Sequence, residues 1–448
     1  MCDSLVCFEI GRCQFDNTFL SFENAHLLLT LHKQKKKKCN CIIYNFYSYI
    51  FSFFSFFLVF AFYALNLDSV LAYIKWSSYF YQIAVGAVLL LCCGYVGALK
   101  QMSLFRSLVA SMIAKWILFL VVISLSYFFV ADPDYSGIGL SFLLSTILIV
   151  FSLKIACICI DVKADCGRPL AIVLLVSALL VIIDPIIDIR SYFDNQHFFE
   201  YERTRGGGLY FQPNVASVVL VFLLAAALPR TSGSIKVLLC GVSSLAIFLT
   251  FSRSGLILLC LLLMISVWRK YISVHMFALF CTIPIVLIGA TSIGDNVASF
   301  FSIDEGSGYI RMYEMQDMLS EAGIKSDSRT ETAEIAISDF FEAPLGKGLG
   351  YSWKWADKQP EGQGTHNLNL RYMLEFGVLG MCVWPLFLFS LFFDRIKGLD
   401  RPWLLGICGI AFLSSFFSHN LTEQGAILAS MYAVFSLPVK KKESGKFN

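Results

Sequence analysis

Charge is scarce in this sequence: 15% of its 448 residues are Asp, Glu, Lys or Arg, while 57% are hydrophobic. So little charge, combined with repeated apolar runs near twenty residues long, excludes a soluble globular chain and indicates a polytopic membrane protein. Also missing is a hydrophobic run beginning near Met1 that would resemble a cleaved signal peptide. No three- or four-ligand metal cluster can be read from the spacings, so neither a metal nor another cofactor is expected. No acidic pair can be selected by spacing as nucleophile and acid. Cysteine is plentiful, with fifteen in the chain, but these lie in the first 41 residues, in apolar runs or, for Cys166, in a basic connector, and none on the expected outer side. Reduced or buried thiols are expected, not a disulfide scaffold.

What is present is a succession of apolar runs. Candidate spans lie at about 42–64, 79–99, 111–130, 137–157, 170–188, 211–228, 236–251, 255–268, 272–291, 370–393, 402–418 and 423–438. The expected fold class is all-α: a polytopic membrane helical bundle of about twelve transmembrane helices with a long, partly helical external loop. Residues 1–41 read as a basic cytoplasmic N-terminal segment, 42–293 as the first nine helices and 294–369 as the large loop. Residues 370–438 read as the last three helices and 439–448 as a cytoplasmic tail. Lys35 to Lys38, Lys100, Arg106, Lys163, Arg168, Arg230, Lys236, Arg269, Lys270, Arg395, Lys397, Arg401 and Lys440 to Lys442 all fall on one side of that arrangement. The positive-inside rule makes this side, and both termini, cytoplasmic. For Lys35 to Lys38 a topology anchor is the simpler reading and lipid-headgroup binding the functional one.

The long loop is the place where chemistry can be done. From Asp295 to Asn369 it carries thirteen acidic residues against six basic ones. An anionic substrate must therefore be held by a few placed arginines and not by a general field, which singles out Arg311, within the acidic stretch 304–321, and Arg329. Ser328 and Glu331 fit a capping box, and Ala333, Ala336, Ile337, Phe340 and Phe341 recur at helical spacing. An amphipathic helix is expected from about Arg329 to Glu342, ended by Pro344. Gly346, Gly348 and Gly350 are expected to form a flexible turn able to approach a ligand through its backbone. At the loop's end His366 and Asn367 precede the next apolar run, which puts a titratable imidazole near the membrane surface.

Three shorter signals share that outer side. In RTRGGGLYFQPN, Arg203 and Arg205 are candidate phosphate ligands, with an interfacial role among lipid headgroups as the alternative; nearby His197 reads as an ordinary loop residue. In TFSRSG, Arg253 lies between two apolar runs, where an arginine is expensive unless solvent, a carboxylate or a phosphate compensates it. Ser252, Ser254 and Gly255 allow the helix to break there. In SHNLTEQG, His419, Asn420 and Glu423 read as a turn or as part of a polar cavity.

Taken in order, RTRGGGLYFQPN, TFSRSG and the loop running from Arg329 through EAPLGKGLG to His366-Asn367 resemble the O-antigen ligase and polymerase-like superfamily of bacterial membrane glycosyltransferases. The resemblance covers roughly residues 170–393. It implies a bacterial inner-membrane protein with the active loop in the periplasm. It also implies transfer of a glycan from an undecaprenyl-diphosphate carrier to a saccharide acceptor, lipid A-core or another glycan, without nucleotide sugar, metal or nucleic acid. Arg205, Arg253 and Arg329 then correspond to the family's diphosphate-binding arginines and His366 to its catalytic histidine. Gln212 stands where many members show asparagine. Arg203, Arg311, Asn367 and Glu375 are secondary candidates, Glu375 either orienting part of the site or neutralising polar contacts on the next helix.

The residue types suit that chemistry independently. Displacement at an anomeric carbon develops negative charge on the diphosphate, which fixed guanidinium groups stabilise with bidentate hydrogen bonds. His366 acts as general base on the acceptor hydroxyl or holds it in position while its proton leaves late. A single displacement inverts the anomeric configuration. Ligase, polymerase and protein O-glycosylation remain open acceptor choices. A polysaccharide transporter is the competing class, opposed by the lack of an obvious paired repeat.

Overall fold

The computed structural model describes residues 57–70, 110–158, 166–187, 205–289, 328–358, 364–394, 400–418 and 421–437, with a few isolated positions between them. At 158, 283–289 and 328–330 this description covers the backbone alone. These residues all belong to the unit Ser52–Asn448. After helical turns at 57–64 and 67–70 come α1 (Met112–Phe128), α2 (Pro133–Ile158), α3 (Gly167–Ile187), α4 (Pro213–Ala227), α5 (Gly233–Leu249), α6 (Arg253–Trp268) and α7 (Val274–Gly289). Then follow α8 (Ser328–Glu342), α9 (Tyr351–Asp357), α10 (Leu368–Phe376), α11 (Gly380–Phe393), α12 (Arg401–Ser414) and α13 (Gly425–Ser436). No strand occurs among the described residues.

Three helical stretches are long and apolar enough to cross a membrane alone: Pro133–Cys157, Gly167–Ile187 and Leu368–Phe393, the last being α10 and α11 in succession. The helices at 112–128, 213–227, 233–249, 253–268, 401–414 and 425–436 are apolar but shorter. At 1.5 Å per residue, a fifteen-residue helix such as α4 rises only about 22 Å, less than the roughly 30 Å hydrocarbon core. The expected run at 255–268 begins two residues earlier, at Arg253. Most of the expected span at 79–99 lies outside the described residues, as does the first half of 42–64.

The core forms around α4, whose residues from Val215 to Leu228 are almost completely buried. A helix that is apolar on every face has no solvent side, so α3, α5, α6 and α13 enclose it. Close approach needs small residues. A Cβ on Gly255 of α6 would lie 2.5 Å from Ser217 Cβ of α4. The indoles supply directional contacts: Trp116 Nε1 donates to the Val383 carbonyl at 2.9 Å, and Trp384 Nε1 to the Ala411 carbonyl at 3.1 Å. These tie α1 to α11 and α11 to α12.

Basic residues gather at one end of the bundle, each with a partner from another element. Lys154 Nζ lies 3.1 Å from Asp394, whose carboxylate also accepts from the N–H groups of Met112 and Ile113. Arg269 pairs with Asp400 at 2.7 Å, and Lys236 donates to the Tyr271 carbonyl. Arg230 donates to the carbonyls of Ala226, Val434 and Leu437. The opposite end carries the turn at 205–212, the α5–α6 break, α8, α9 and the start of α10.

Candidate functional site

The turn before α4 is built on Asp184, which is completely buried near the end of α3. Its carboxylate accepts from the N–H groups of Gly207 at 2.8 Å, Gly208 at 2.9 Å and Ile189 at 3.0 Å. Glycine is required beside it, because a Cβ on Gly206 would lie 2.5 Å from the Val181 carbonyl oxygen. Held in this way, the turn drives Arg205 inward, where it is 5% exposed. Its Nε donates to the Thr250 carbonyl at 3.0 Å and its Nη2 to Asn214 Oδ1 at 3.2 Å. Gly206 N also donates to the Leu249 carbonyl at 2.9 Å. Arg205 and the Gly206 N–H therefore satisfy the Thr250 and Leu249 carbonyls at the C-terminus of α5, just before Phe251 and Ser252-Arg253.

Arg253 opens α6. The expected helix break is present: α5 ends at Leu249, Phe251 takes φ 48°, and Ser252 caps α6 by accepting from Gly255 N at 3.2 Å. Arg253 is half-buried at the positive end of the α6 dipole. A cation there is disfavoured by the dipole and an anion is favoured.

His366 and Asn367 sit at the start of α10. Asn367 is the cap of that helix, its Oδ1 accepting from Asn369 N at 2.9 Å and Leu370 N at 3.2 Å. Thr365 Oγ1 donates to the Asn367 carbonyl at 3.0 Å, and Leu368 N donates to the Ser415 carbonyl at 2.8 Å. Asn369 Nδ2 reaches Ser415 Oγ at 2.8 Å. Pinned from both sides, His366 is half-buried and adopts φ 49°, a left-handed conformation costing on the order of 1–3 kcal/mol for a residue with a side chain.

One turn further along α10 lies a buried charge cluster. Arg371 pairs with Glu423, lies 3.6 Å from Glu375, and donates through Nε to Ser352 Oγ at 3.3 Å. Ser352 in turn donates to Glu375. Phe142 and Trp353 stack at 5.2 Å, with Arg371 5.6 Å from the indole centroid and 6.0 Å from the phenyl. A cavity of about 20 Å³ borders Arg371, Glu375, Thr422 and Glu423, room for about one water molecule. Glu375 therefore meets Arg371 and Ser352 within this cluster. Arg371, Ser352 and Asp184 were not singled out from the sequence. An Arg-x-x-x-Glu pair at helical spacing inside an apolar stretch was the available signal for the first.

The preceding loop folds down onto α10. α8 buries Ala336 against Trp355, Leu370 and Leu374, and Asp339 accepts from Trp355 Nε1 at 2.6 Å. Lys347 N donates to the Leu374 carbonyl at 2.9 Å and Gly348 N to the Glu375 carbonyl at 3.0 Å. Gly346, Gly348 and Gly350 all have positive φ, and added Cβ atoms would meet Gly377 N at 2.5 Å, Ala131 Cα at 2.6 Å and the Tyr135 carbonyl oxygen at 2.3 Å respectively. The close approach at these glycines is made to protein backbone, which clamps the turn. Lys354 pairs with Asp132 on the α1–α2 loop. The hydrogen bond from Lys354 holds the Asp132 carboxyl below its usual range, and the same bond raises Lys354. For Lys347, burial opposes the charge, yet Tyr351 and Asp339 leave its pKa raised.

The Arg205 turn and the α10 cluster are joined through residues 64–68. Asn66 Nδ2 donates to the Leu209 carbonyl at 2.7 Å, and Tyr210 OH donates to the Ala64 carbonyl at 2.8 Å. On the other side, a Cβ at Gly425 would lie 2.6 Å from Asp68 Oδ2. Arg329 occupies the second position of α8, where its backbone is helical; its side chain lies outside the described residues, as do Arg203, Arg311, His197, His419 and Asn420. Among the described residues no group of three His, Cys, Asp or Glu side chains is placed to hold a metal. None of the described cysteines, at 157, 166, 240, 260, 281, 382 and 408, forms a disulfide.

With the geometry established, comparison with known proteins is informative over the middle of the chain. Residues 238–384 match the family described as O-Antigen ligase. That stretch includes Arg253, Arg329, His366, Asn367, Arg371 and Glu375, and leaves Arg203, Arg205 and Glu423 outside. No curated protein matches the chain.

Proposed function

We propose that this membrane protein, a member of the O-antigen ligase-like family through residues 238–384, moves a glycan from undecaprenyl diphosphate to the lipid A-core of lipopolysaccharide. The reading rests on Arg253. A guanidinium at the N-terminus of α6, in a frame fixed by Arg205 and Asp184, supplies the two features a departing diphosphate needs: positive charge and prepaid orientation. Arg329 at the start of α8 adds a second guanidinium, and Arg205 acts from behind, holding the α5–α6 junction. Arg203 and Arg311 are kept as further contacts for the carrier phosphates.

The reaction is a single displacement. An acceptor hydroxyl oxygen forms a bond to the anomeric carbon while the bond from that carbon to the diphosphate oxygen breaks. The carrier diphosphate leaves with the electron pair, and its charge is met by Arg253 and Arg329. The hydroxyl proton passes to His366, whose backbone is locked by the Asn367 cap. The product is inverted, and no metal enters. In this reading the Lys154–Asp394 end faces the cytoplasm with both termini, the membrane is the bacterial inner membrane, and the 294–369 loop is periplasmic. Residues 1–41 and 439–448 then flank helices at 42–293 and 370–438.

Transfer by purified protein in lipid vesicles tests this, with undecaprenyl-diphosphate-linked glycan, separately supplied lipid A-core and a chelator. Glycan joined to lipid A-core is the expected product. Longer chains retained on the carrier would select a polymerase working by the same displacement. Absence of bond formation with either acceptor overturns the enzyme reading.

A further inference from the structure

The loop between α8 and α10 presents its apolar edge outward. Phe341 is 74% exposed and Leu345 77%, although both belong to a polar segment. They do not stand alone. The Pro344 carbonyl accepts from Val378 N at 3.0 Å, and Gly348 packs on Val130 and Ala131. Leu345 therefore lies beside Val378 and Leu379, with Phe129 and Val130 next to the following residues, and all four of these are exposed as well. The patch continues directly into Met381, Leu386, Phe389 and Phe393, the exposed face of α11 within a candidate membrane span.

Depth can be read from helix lengths. Met112 and Asp394 are at one level, because Met112 N donates to Asp394 Oδ1 at 2.6 Å and Lys154 closes the charged group. Phe128 is sixteen residues beyond Met112, and Val378 sixteen residues before Asp394, so both stand about 24 Å above that level, less if the helices tilt. The hydrocarbon core is about 30 Å thick. A charged group at one boundary therefore places Pro344 and Leu345 several ångströms inside the other.

Irregular backbone survives in hydrocarbon only where its polar groups are satisfied. Most donors of the turn meet that condition: Gly346 N donates to Ala343, Lys347 N to Leu374, Gly348 N to Glu375 and Leu349 N to Tyr127, while Pro344 has no N–H and Leu345 N alone among residues 343–349 lacks a partner among the described residues. We propose that the turn Pro344–Gly346 re-enters the bilayer, packing Phe341 and Leu345 among acyl chains of the leaflet on the His366 side. The immersed turn sets the height of α8, whatever reaction the protein performs.

The test uses the full chain in vesicles of phosphatidylcholine carrying a diazirine either near the acyl terminus or on the headgroup. After irradiation, labelled peptides are mapped by mass spectrometry, with α11 as the internal standard for insertion. Acyl-chain label on residues 341–345, within about threefold of that on 381–393, is expected from the shared depth. Label on α11 with none at 341–345, or label there from the headgroup probe alone, would overturn the inference.

Discussion

Replacing Arg371 by methionine removes the guanidinium that balances two buried carboxylates. The side chains of Arg371, Glu375 and Glu423 are only 6%, 3% and 8% exposed. Breaking a buried pair from one side typically costs 3–5 kcal/mol, because the remaining charge is left without compensation. Ser352 continues to donate to Glu375, which offsets about 1 kcal/mol; Glu423 loses the guanidinium it pairs with. The expected loss is about 3 kcal/mol or more, at least 100-fold in the folded-to-unfolded ratio. Glu375→Gln behaves differently. It takes the three-residue cluster from a formal charge of −1 to zero, so its cost is expected to stay near 1 kcal/mol. Combining Arg371→Met with Glu375→Gln and Glu423→Gln removes every charge and should recover most of the loss. Denaturant titration in mixed micelles, followed by tryptophan fluorescence, measures all three. Arg371→Met within 1 kcal/mol of the native protein, or a triple variant no more stable than the single one, refutes the reasoning.

Other consequences are as direct. Gly350→Ala forces a Cβ to within 2.3 Å of the Tyr135 carbonyl oxygen at φ 82° and should cost at least about 1–3 kcal/mol; Gly137→Ala, which meets nothing within 4 Å, should gain up to about 1 kcal/mol in the same titration. Asn367→Ala removes the α10 cap and should cost about 1 kcal/mol, while lowering kcat more than it changes KM because His366 loses its fixed backbone. The Asp132–Lys354 pair gives a pH window. Asp132, with its pKa depressed, contributes above the ordinary carboxylate pKa and loses that contribution as pH falls through the lower folded value. Lys354, with its pKa raised, contributes below the ordinary lysine pKa and loses its share as pH rises past that. Protection of α9 from hydrogen exchange, corrected for intrinsic rates, should be flat between about pH 5 and 9, and Lys354→Ala should lower it throughout.

The helical character of the chain was legible because apolar runs and turn residues are local signals. The amphipathic pattern and Pro344 located α8 to within a residue of its observed bounds, Ser328–Glu342. Ser252 and Gly255 marked the α5–α6 break for the same reason. What escaped were pairings made by distant segments. Arg371 meets Glu423 fifty-two residues on and Ser352 nineteen residues back, and no spacing rule connects them. Asp184, inside the expected span 170–188, carried no local signal for its part in the Arg205 turn, where it accepts from Gly207 N and Gly208 N. The glycines at 346, 348 and 350 marked sites of close approach, but not that Gly377, Ala131 and Tyr135 supply the neighbouring backbone, since a sequence does not say what fills the space beside a glycine. Arg205, expected at the diphosphate, also reaches residues further along the chain, donating through Nε to Thr250 and through Nη2 to Asn214.

The central claim is that Arg253 and His366 act on one reacting bond. Its most direct test is the transfer rate of Arg253→Ala and His366→Ala from the lipid-linked donor, each with a denaturation midpoint matching the native protein. The expected result is a fall of about 10²–10³-fold for Arg253→Ala and about 10²–10⁴-fold for His366→Ala. A folded variant of either kind that transfers glycan within about threefold of the native rate, where loss of a catalytic group removes far more, would contradict it.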